Sequence, residues 1–374
     1  MLIIIIILII SKLYYGFTLF WFIYGNLSYR SKISKTNNEP VSIIIAIRNG
    51  EKSLPQLLES LKQQQYNGKM EFILVDDESE DNTSILIQKA AKTDSRFKYV
   101  TSINGNNLLN HKKRALDAGI ELAKYEWLLF TDVDCTIKKT WVNGMAKYFN
   151  DKIDYVIGFS SVKTGNKLVT LFQSIDFFML MISARGSTLI GNPWACSGQN
   201  QAYRKTLFNK IGGFSKIANQ LQGDDSLFLQ LCRKKLSINI EFADSPECQT
   251  NSRQEVSWIS FFKQRIRWAG DAKTMWQFNK PFFMMIITAF LLPLMIMITT
   301  FIELFYNAQY YNVLIIIILL HFFIELTLYT IGTKKLSKPF HLLHFSLWFI
   351  IHIPYVVLMG IGSFFSNKLN WKGR

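Results

Sequence analysis

Histidine is scarce in this chain of 374 residues: there are five, and four of them (His321, His341, His344 and His352) fall in the C-terminal hydrophobic region. His111 is left alone in the polar part, which is too little for a histidine zinc site or a Ser-His-Asp triad. The four cysteines, Cys135, Cys196, Cys232 and Cys248, show no short metal-binding spacing and no paired framework, so they read as reduced thiols in a cytoplasmic domain. Charge is thin as well, at 18% of residues against 49% hydrophobic. Acids are scarcer than bases, 27 against 42, for a net charge of +15. The basic residues are dispersed and accompany hydrophobic spans, which points to the cytoplasmic face of a membrane and away from nucleic acid.

The apolar residues concentrate at the two ends. Residues 1–27 are almost continuously apolar, broken by Lys12, with no basic n-region and no small-x-small cleavage site, so they read as an uncleaved transmembrane anchor. A polar linker, 28–40, carries Arg30, Lys32 and Lys35 and sets the downstream side as cytoplasmic. A catalytic domain is expected over 41–253, interfacial amphipathic helices over 254–280, a C-terminal transmembrane region over 281–365 and a tail over 366–374. The apolar segments 282–305, 313–331 and 341–365 are the C-terminal spans, with Lys334, Lys335 and Lys338 on the cytoplasmic connection. Three such spans leave the tail outside, against its own Lys368, Lys372 and Arg374, which makes the segment holding Pro354 a candidate for a re-entrant or interfacial course.

From Val41 the pattern alternates strands and amphipathic helices: strands at 41–47, 71–75, 97–101 and 127–131, helices at 51–64, 81–92 and 112–124. That alternation predicts a doubly wound, mainly parallel Rossmann-like sheet, in which ligands sit beyond the carboxyl ends of the strands. The apolar run 167–182 is interrupted by Asp176 and followed by Arg185, which suits a buried or interfacial helix better than a span. Residues 191–205 look like a loop, and a helix is expected over 226–235.

Two strands end in acids. The strand ending at Val75 meets Asp76 and Asp77, and the strand 127–131 meets Asp132-Val133-Asp134. Carboxylates two apart on an extended chain point the same way and can present oxygens to one hard cation, Mg²⁺ or Mn²⁺. A strand ending in a polar turn gives the same letters. Gly223-Asp224-Asp225 opens the helix 226–235, where first-turn acids are also ordinary caps. On the helix 257–278, Gln264, Arg267 and Trp268 share one face at i, i+3 and i+4.

In order and spacing, these stretches resemble the family 2 glycosyltransferases of the GT-A fold: Val-Ser-Ile-Ile-Ile-Ala-Ile-Arg-Asn (41–49), Val-Asp-Asp-Glu-Ser-Glu-Asp (75–81), Lys112 ahead of Ala115-Leu116-Asp117, Thr-Asp-Val-Asp (131–134), Ser-Gly-Gln-Asn-Gln-Ala-Tyr-Arg (197–204), Gly-Asp-Asp (223–225) and Gln-Arg-Ile-Arg-Trp (264–268). The flanking spans suit membrane-bound members that carry a Gln-x-x-Arg-Trp signature, as in the cellulose/hyaluronan synthase and ceramide glucosyltransferase branches. One departure is that Asn49 is followed by Gly50 before Glu51, where the family commonly has Asn-Glu. The resemblance implies that Asp77 reads the base of a nucleoside diphosphate sugar, a UDP-sugar for preference, with Arg48, Glu51, Lys112 and Asp132 at the nucleotide sugar. Asp132 and Asp134 would hold Mg²⁺ or Mn²⁺, and Asp225, or with less support Asp224, would be the base. Gln264, Arg267 and Trp268 would receive the acceptor. The reaction so implied is a metal-dependent, inverting transfer to a lipid-linked or membrane-associated glycan at the inner face of a bacterial inner membrane. A processive polysaccharide synthase and an inactive membrane scaffold are the alternatives. Nucleotidyl transfer lacks the Gly-rich loop it needs after the first strand.

Overall fold

The computed structural model describes residues 2–28, 31, 38–220, 222–306 and 310–365. Arg30, Lys32, Lys35 and the tail residues Lys368, Lys372 and Arg374 lie outside the described residues.

The chain opens with helix α1 (Leu2–Ser28), then β1 (Val41–Ile47), α2 (Leu54–Lys62), β2 (Met70–Asp76), α3 (Thr83–Thr93), β3 (Phe97–Thr101), α4 (His111–Leu122) and β4 (Trp127–Phe130). There follow β5 (Cys135–Ile137), α5 (Trp141–Ala146), β6 (Tyr155–Gly158), β7 (Ser160–Val162), α6 (Leu168–Leu189), β8 (Gln201–Arg204), α7 (Lys205–Ile211) and α8 (Ser226–Lys235). The last part holds β9 (Ile240–Ala243), β10 (Thr250–Ser252), α9 (Trp258–Gly270), α10 (Ala272–Phe278), α11 (Lys280–Tyr306), α12 (Tyr311–Lys335) and α13 (Leu342–Ser363). Two compact units result: one built from residues 30–163 and 193–253, the other from 1–29, 164–192 and 254–369.

The first unit is an α/β domain. Its main sheet runs β3-β2-β1-β4-β8-β6-β9, and β5-β10-β7 form a second, small sheet. Strands β3, β2, β1 and β4 are parallel, with Val41 beside both Met70 and Trp127. β1, β2 and β4 are apolar and almost wholly buried, as parallel strands covered on two faces must be, while β3 at the edge is half-buried. Leu54, Leu57, Leu58 and Leu61 of α2 pack into that core. The chain leaves β1 toward β2 and β3, then returns to β4 on the other side of β1. This is a switch point, and the crevice lies beyond the carboxyl ends there.

β8 was not legible in the sequence, where 191–205 reads as a loop. It is short, has no β-branched residue, and is held by antiparallel pairing with both β4 and β6. The pairing sets Gln201 beside Phe130, so the start of β8 lies at the carboxyl end of β4.

The second unit is helical. Within it α1 packs on α6, α11 and α12, and α13 on α9 and α11. Among the described residues five helices are long and apolar enough to cross a membrane: α1, α6, α11, α12 and α13. Helix α6 is the most buried of them, over 72% of its apolar stretch against 33% for each of the others, and it runs on to Leu189. Helix α13, in the segment suspected of a re-entrant or interfacial course, is one continuous helix through Pro354. The proline is accommodated inside the helix, as bundles allow.

Candidate active site

Asp77 follows β2 directly and is 2% exposed; its Oδ2 is buried with no hydrogen-bond donor among the described residues. The loop that carries it is laced to the end of β1. Arg48, itself buried, donates through Nη1 to the carbonyls of Asp77 and Glu78, both at 2.9 Å, and through Nη2 to Glu80 Oε1 at 3.2 Å. The Gly50 N–H donates to Thr83 Oγ1 at 2.7 Å, and Glu51 Oε1 accepts from Asn82 Nδ2 at 2.7 Å. Arg48 and Glu51 thus bond to the 77–83 loop. A buried acceptor oxygen without a donor is costly unless a ligand supplies one.

Lys112 stands in the first turn of α4, after His111, whose φ is +52°. Its Nζ lies 2.9 Å from Asp132 Oδ1 and 2.9 Å from Asp224 Oδ2. Burial alone would depress the ammonium, but the two carboxylates more than offset it and hold its pKa well above the usual lysine value. Lys113, next in sequence, is fully buried and donates to the carbonyls of Gln220 and Gln222, at 3.0 Å for the latter. The start of α4 therefore grips the Gly-Asp-Asp turn twice. Lys113 has basic neighbours, Lys112 and Arg114, and only its helical register with Leu116 and Ile120 marks it as inward.

Asp132-Val133-Asp134 is not an extended pair. β4 stops at Phe130, and the Cys135 N–H donates to the Asp132 carbonyl at 3.1 Å, closing a turn. The alternation of strand side chains does not apply there. Asp132 turns in toward Lys112 and Asp134 is exposed at the rim of the same turn. Among the described residues no group of three or more His, Cys, Asp and Glu forms a ready metal cage. Two carboxylates do suit a hard divalent cation, which takes oxygen donors and completes its shell with phosphates and water. The donor set therefore fits Mg²⁺ or Mn²⁺ held by Asp132 and Asp134.

Asp224 and Asp225 precede α8 instead of lying in its first turn as expected. The Asp225 carboxylate caps it, accepting from the Ser226 N–H at 2.5 Å and from the Gly198 N–H at 3.3 Å. Gly223, at φ +108°, permits the turn that sets both acids there, a conformation side chains other than glycine rarely adopt. Gly198 is equally constrained: a Cβ would sit 3.1 Å from Asp224 Oδ2 and 3.2 Å from Lys112 Nζ. Gln201 Nε2 donates to the Asp224 carbonyl at 3.1 Å, and Ser226 Oγ donates to the Cys196 carbonyl at 3.0 Å. Burial and the neighbouring Asp224 charge push the Asp225 carboxyl up to about 6, against the pull of the Ser226 N–H and Lys112.

Gln264, Arg267 and Trp268 belong to the helical unit, on α9. Gln264 Nε2 makes a long contact to Glu255 Oε1, at 3.4 Å. Arg267 is partly buried, which lowers its pKa against the opposing charge of Glu255. Trp268 packs on Phe177, ring centroids 5.8 Å apart.

The model of glycosyl transferase family 21 matches residues 3–374. Curated relatives include the poly-beta-1,6-N-acetyl-D-glucosamine synthase of Staphylococcus epidermidis, 24% identical over 268 residues, which are 70% of this chain and 61% of that protein. The synthase of the same description from Staphylococcus aureus is 23% identical over 264 residues, again 70% of this chain and 61% of that one. The chain thus spans 61% of the length of those relatives. Among solved structures, a mannosyltransferase of Pyrobaculum calidifontis, determined with GDP-Man and Mn²⁺, is similar at a TM-score of 0.62 and 15% identity, covering 96% of this chain and 99% of that one. That likeness is one of fold, GT-A.

Proposed function

The chain belongs to glycosyl transferase family 21, and from that premise we propose that it moves a sugar, with inversion, from a nucleoside diphosphate sugar to a lipid-linked or membrane-associated glycan. We assign the α/β unit to the cytoplasmic face of a bacterial inner membrane, with α1, α11, α12 and α13 crossing.

One observation supports this reading above others: the Lys112 ammonium touches Asp132 on one side and Asp224 on the other, each at 2.9 Å. Asp132 on the diphosphate side and Asp224, the neighbour of the proton acceptor Asp225, then share one crevice. In this reading the donor is a UDP-sugar, and the open Asp77 Oδ2 accepts a base N–H. Lys112 faces the diphosphate and offsets its charge. Asp132 and Asp134 would hold a divalent cation, which would supply Lewis-acid stabilisation of the diphosphate leaving charge. Asp225 takes the acceptor hydroxyl's proton as that oxygen attacks the anomeric carbon from the face opposite the diphosphate. With a pKa of about 6, Asp225 is mostly ionised at neutral pH and so competent as a base. Gln264 and Arg267 bond acceptor hydroxyls, and the Trp268 indole stacks on a sugar face.

Purified protein in detergent should gain thermal stability with one of UDP-glucose, UDP-N-acetylglucosamine or GDP-mannose in Mn²⁺, and should release nucleotide from the same donor. Chelating the metal is expected to abolish both the shift and turnover. Unchanged rates in chelator would remove the role assigned to Asp132 and Asp134. The synthase relatives favour a second reading, processive polymer synthesis. The mass of the product decides, since single addition gives one species and processive synthesis a ladder. An inactive scaffold would show neither hydrolysis of the nucleotide sugar nor transfer.

A further inference from the structure

The middle of Gln264–Trp268 holds a residue that the face-sharing pattern leaves out. Arg265 is 4% exposed, and its Nη2 lies 3.0 Å from Asp176 Oδ2 on α6. The guanidinium carbon sits 4.1 Å from the centroid of the Trp268 ring, 5.0 Å from Phe261 and 5.7 Å from Phe177. Trp348 and Tyr355 of α13 also face the Asp176 carboxylate. Asp176 is itself buried, on a helix whose sequence is otherwise apolar around it. A buried carboxylate persists only with a partner, and a planar guanidinium can pair with it edge-on while presenting its flat face to an indole.

We propose that Asp176 and Arg265 form the positioning pair of the acceptor platform: the carboxylate fixes the guanidinium, and the guanidinium's face fixes the orientation of the Trp268 indole. This deepens the reading of Gln264, Arg267 and Trp268 as acceptor-binding and rests on it. The pair belongs to the helical unit, while Asp77, Lys112, Asp132 and Asp134 belong to the α/β unit, so its effect is expected on acceptor use. Asp176 explains why a charge interrupts α6, and Arg265 explains a buried cation in a stretch whose other polar residues are only partly covered.

The test uses the full chain in detergent with the donor found by the screen above, and a total bacterial membrane lipid extract as the acceptor probe. Asp176→Asn, Arg265→Lys and Trp268→Ala are compared with the parent protein. The readouts are nucleotide affinity with Mn²⁺, nucleotide release to water without extract, and the extra transfer that the extract produces. Asp176→Asn is expected to leave affinity and release to water near the parent values while lowering extract-dependent transfer by about tenfold or more. Arg265→Lys keeps a cation beside Asp176 but removes the flat face over the indole, and is expected to lose most of that transfer while leaving affinity and release to water near the parent values. The inference is overturned if extract-dependent transfer survives in Asp176→Asn, if affinity and release to water fall with it, or if lysine substitutes fully. Trp268→Ala separates the two levels. Loss there without loss in Asp176→Asn refutes the pair alone, while full transfer by Trp268→Ala refutes the platform itself.

Discussion

Asp225→Asn is expected to lose transfer by about 10²–10⁴-fold, the range of a positioned general base, with nucleotide affinity unchanged. Asparagine keeps the shape and still caps α8, since Asn and Asp cap helices about equally, so the Ser226 N–H stays satisfied. What it removes is proton acceptance. The pH profile carries the same claim. Transfer by the parent protein should fall with acid around pH 6, because the carboxyl is held up to about 6 by burial and by Asp224. The sign for stability is the reverse of a salt-bridged acid's. Asp225 binds its proton more tightly folded than unfolded, so its ionisation costs stability as pH rises from about 4, its unfolded value, through about 6. Above that window Asp225→Asn should therefore melt at a higher temperature than the parent while being inactive. Full transfer by this variant would move the base elsewhere, with Asp224 the next residue to test.

Lys112→Met is expected to weaken nucleoside diphosphate binding by about ten- to a hundredfold, the worth of a hydrogen bond to a charged group. It also leaves Asp132 and Asp224 facing each other across the space its ammonium fills, 2.9 Å from each. The variant should melt lower than the parent at neutral pH, since two like charges then face each other without the cation between them. Lys112 also pulls the Asp225 pKa down, so any residual transfer should lose activity at a higher pH than the parent does. Calorimetric titration with UDP and Mn²⁺, melts at neutral pH and transfer rates over a pH series check the three. Unchanged UDP affinity would take Lys112 out of the donor site and leave it a structural clamp.

Much of the frame was legible in the sequence because parallel strands covered on both faces must be apolar throughout. The acids that end such runs therefore stand out: Asp77 after β2 and Asp132 after β4 are at those strand ends. What could not be read is set by tertiary contact. β8 is four residues with no β-branched side chain, held by two antiparallel neighbours. The Asp132–Cys135 turn replaces the extended chain that a strand would continue, so strand alternation no longer sets the two acids. Asp224 and Asp225 were placed in a helical turn because acids favour it, yet Gly223 turns the chain just ahead of the helix. Arg265 and Asp176 lie 89 positions apart on separate helices, and nothing local marks either as the other's partner.

Stereochemistry tests the central claim most directly. An α-linked UDP-sugar that supports turnover, transferred to acceptor by the purified protein with Mn²⁺, should give a product whose new linkage is β by its anomeric proton coupling. A β product fits one displacement with Asp225 opposite the diphosphate; an α product from the same donor contradicts it.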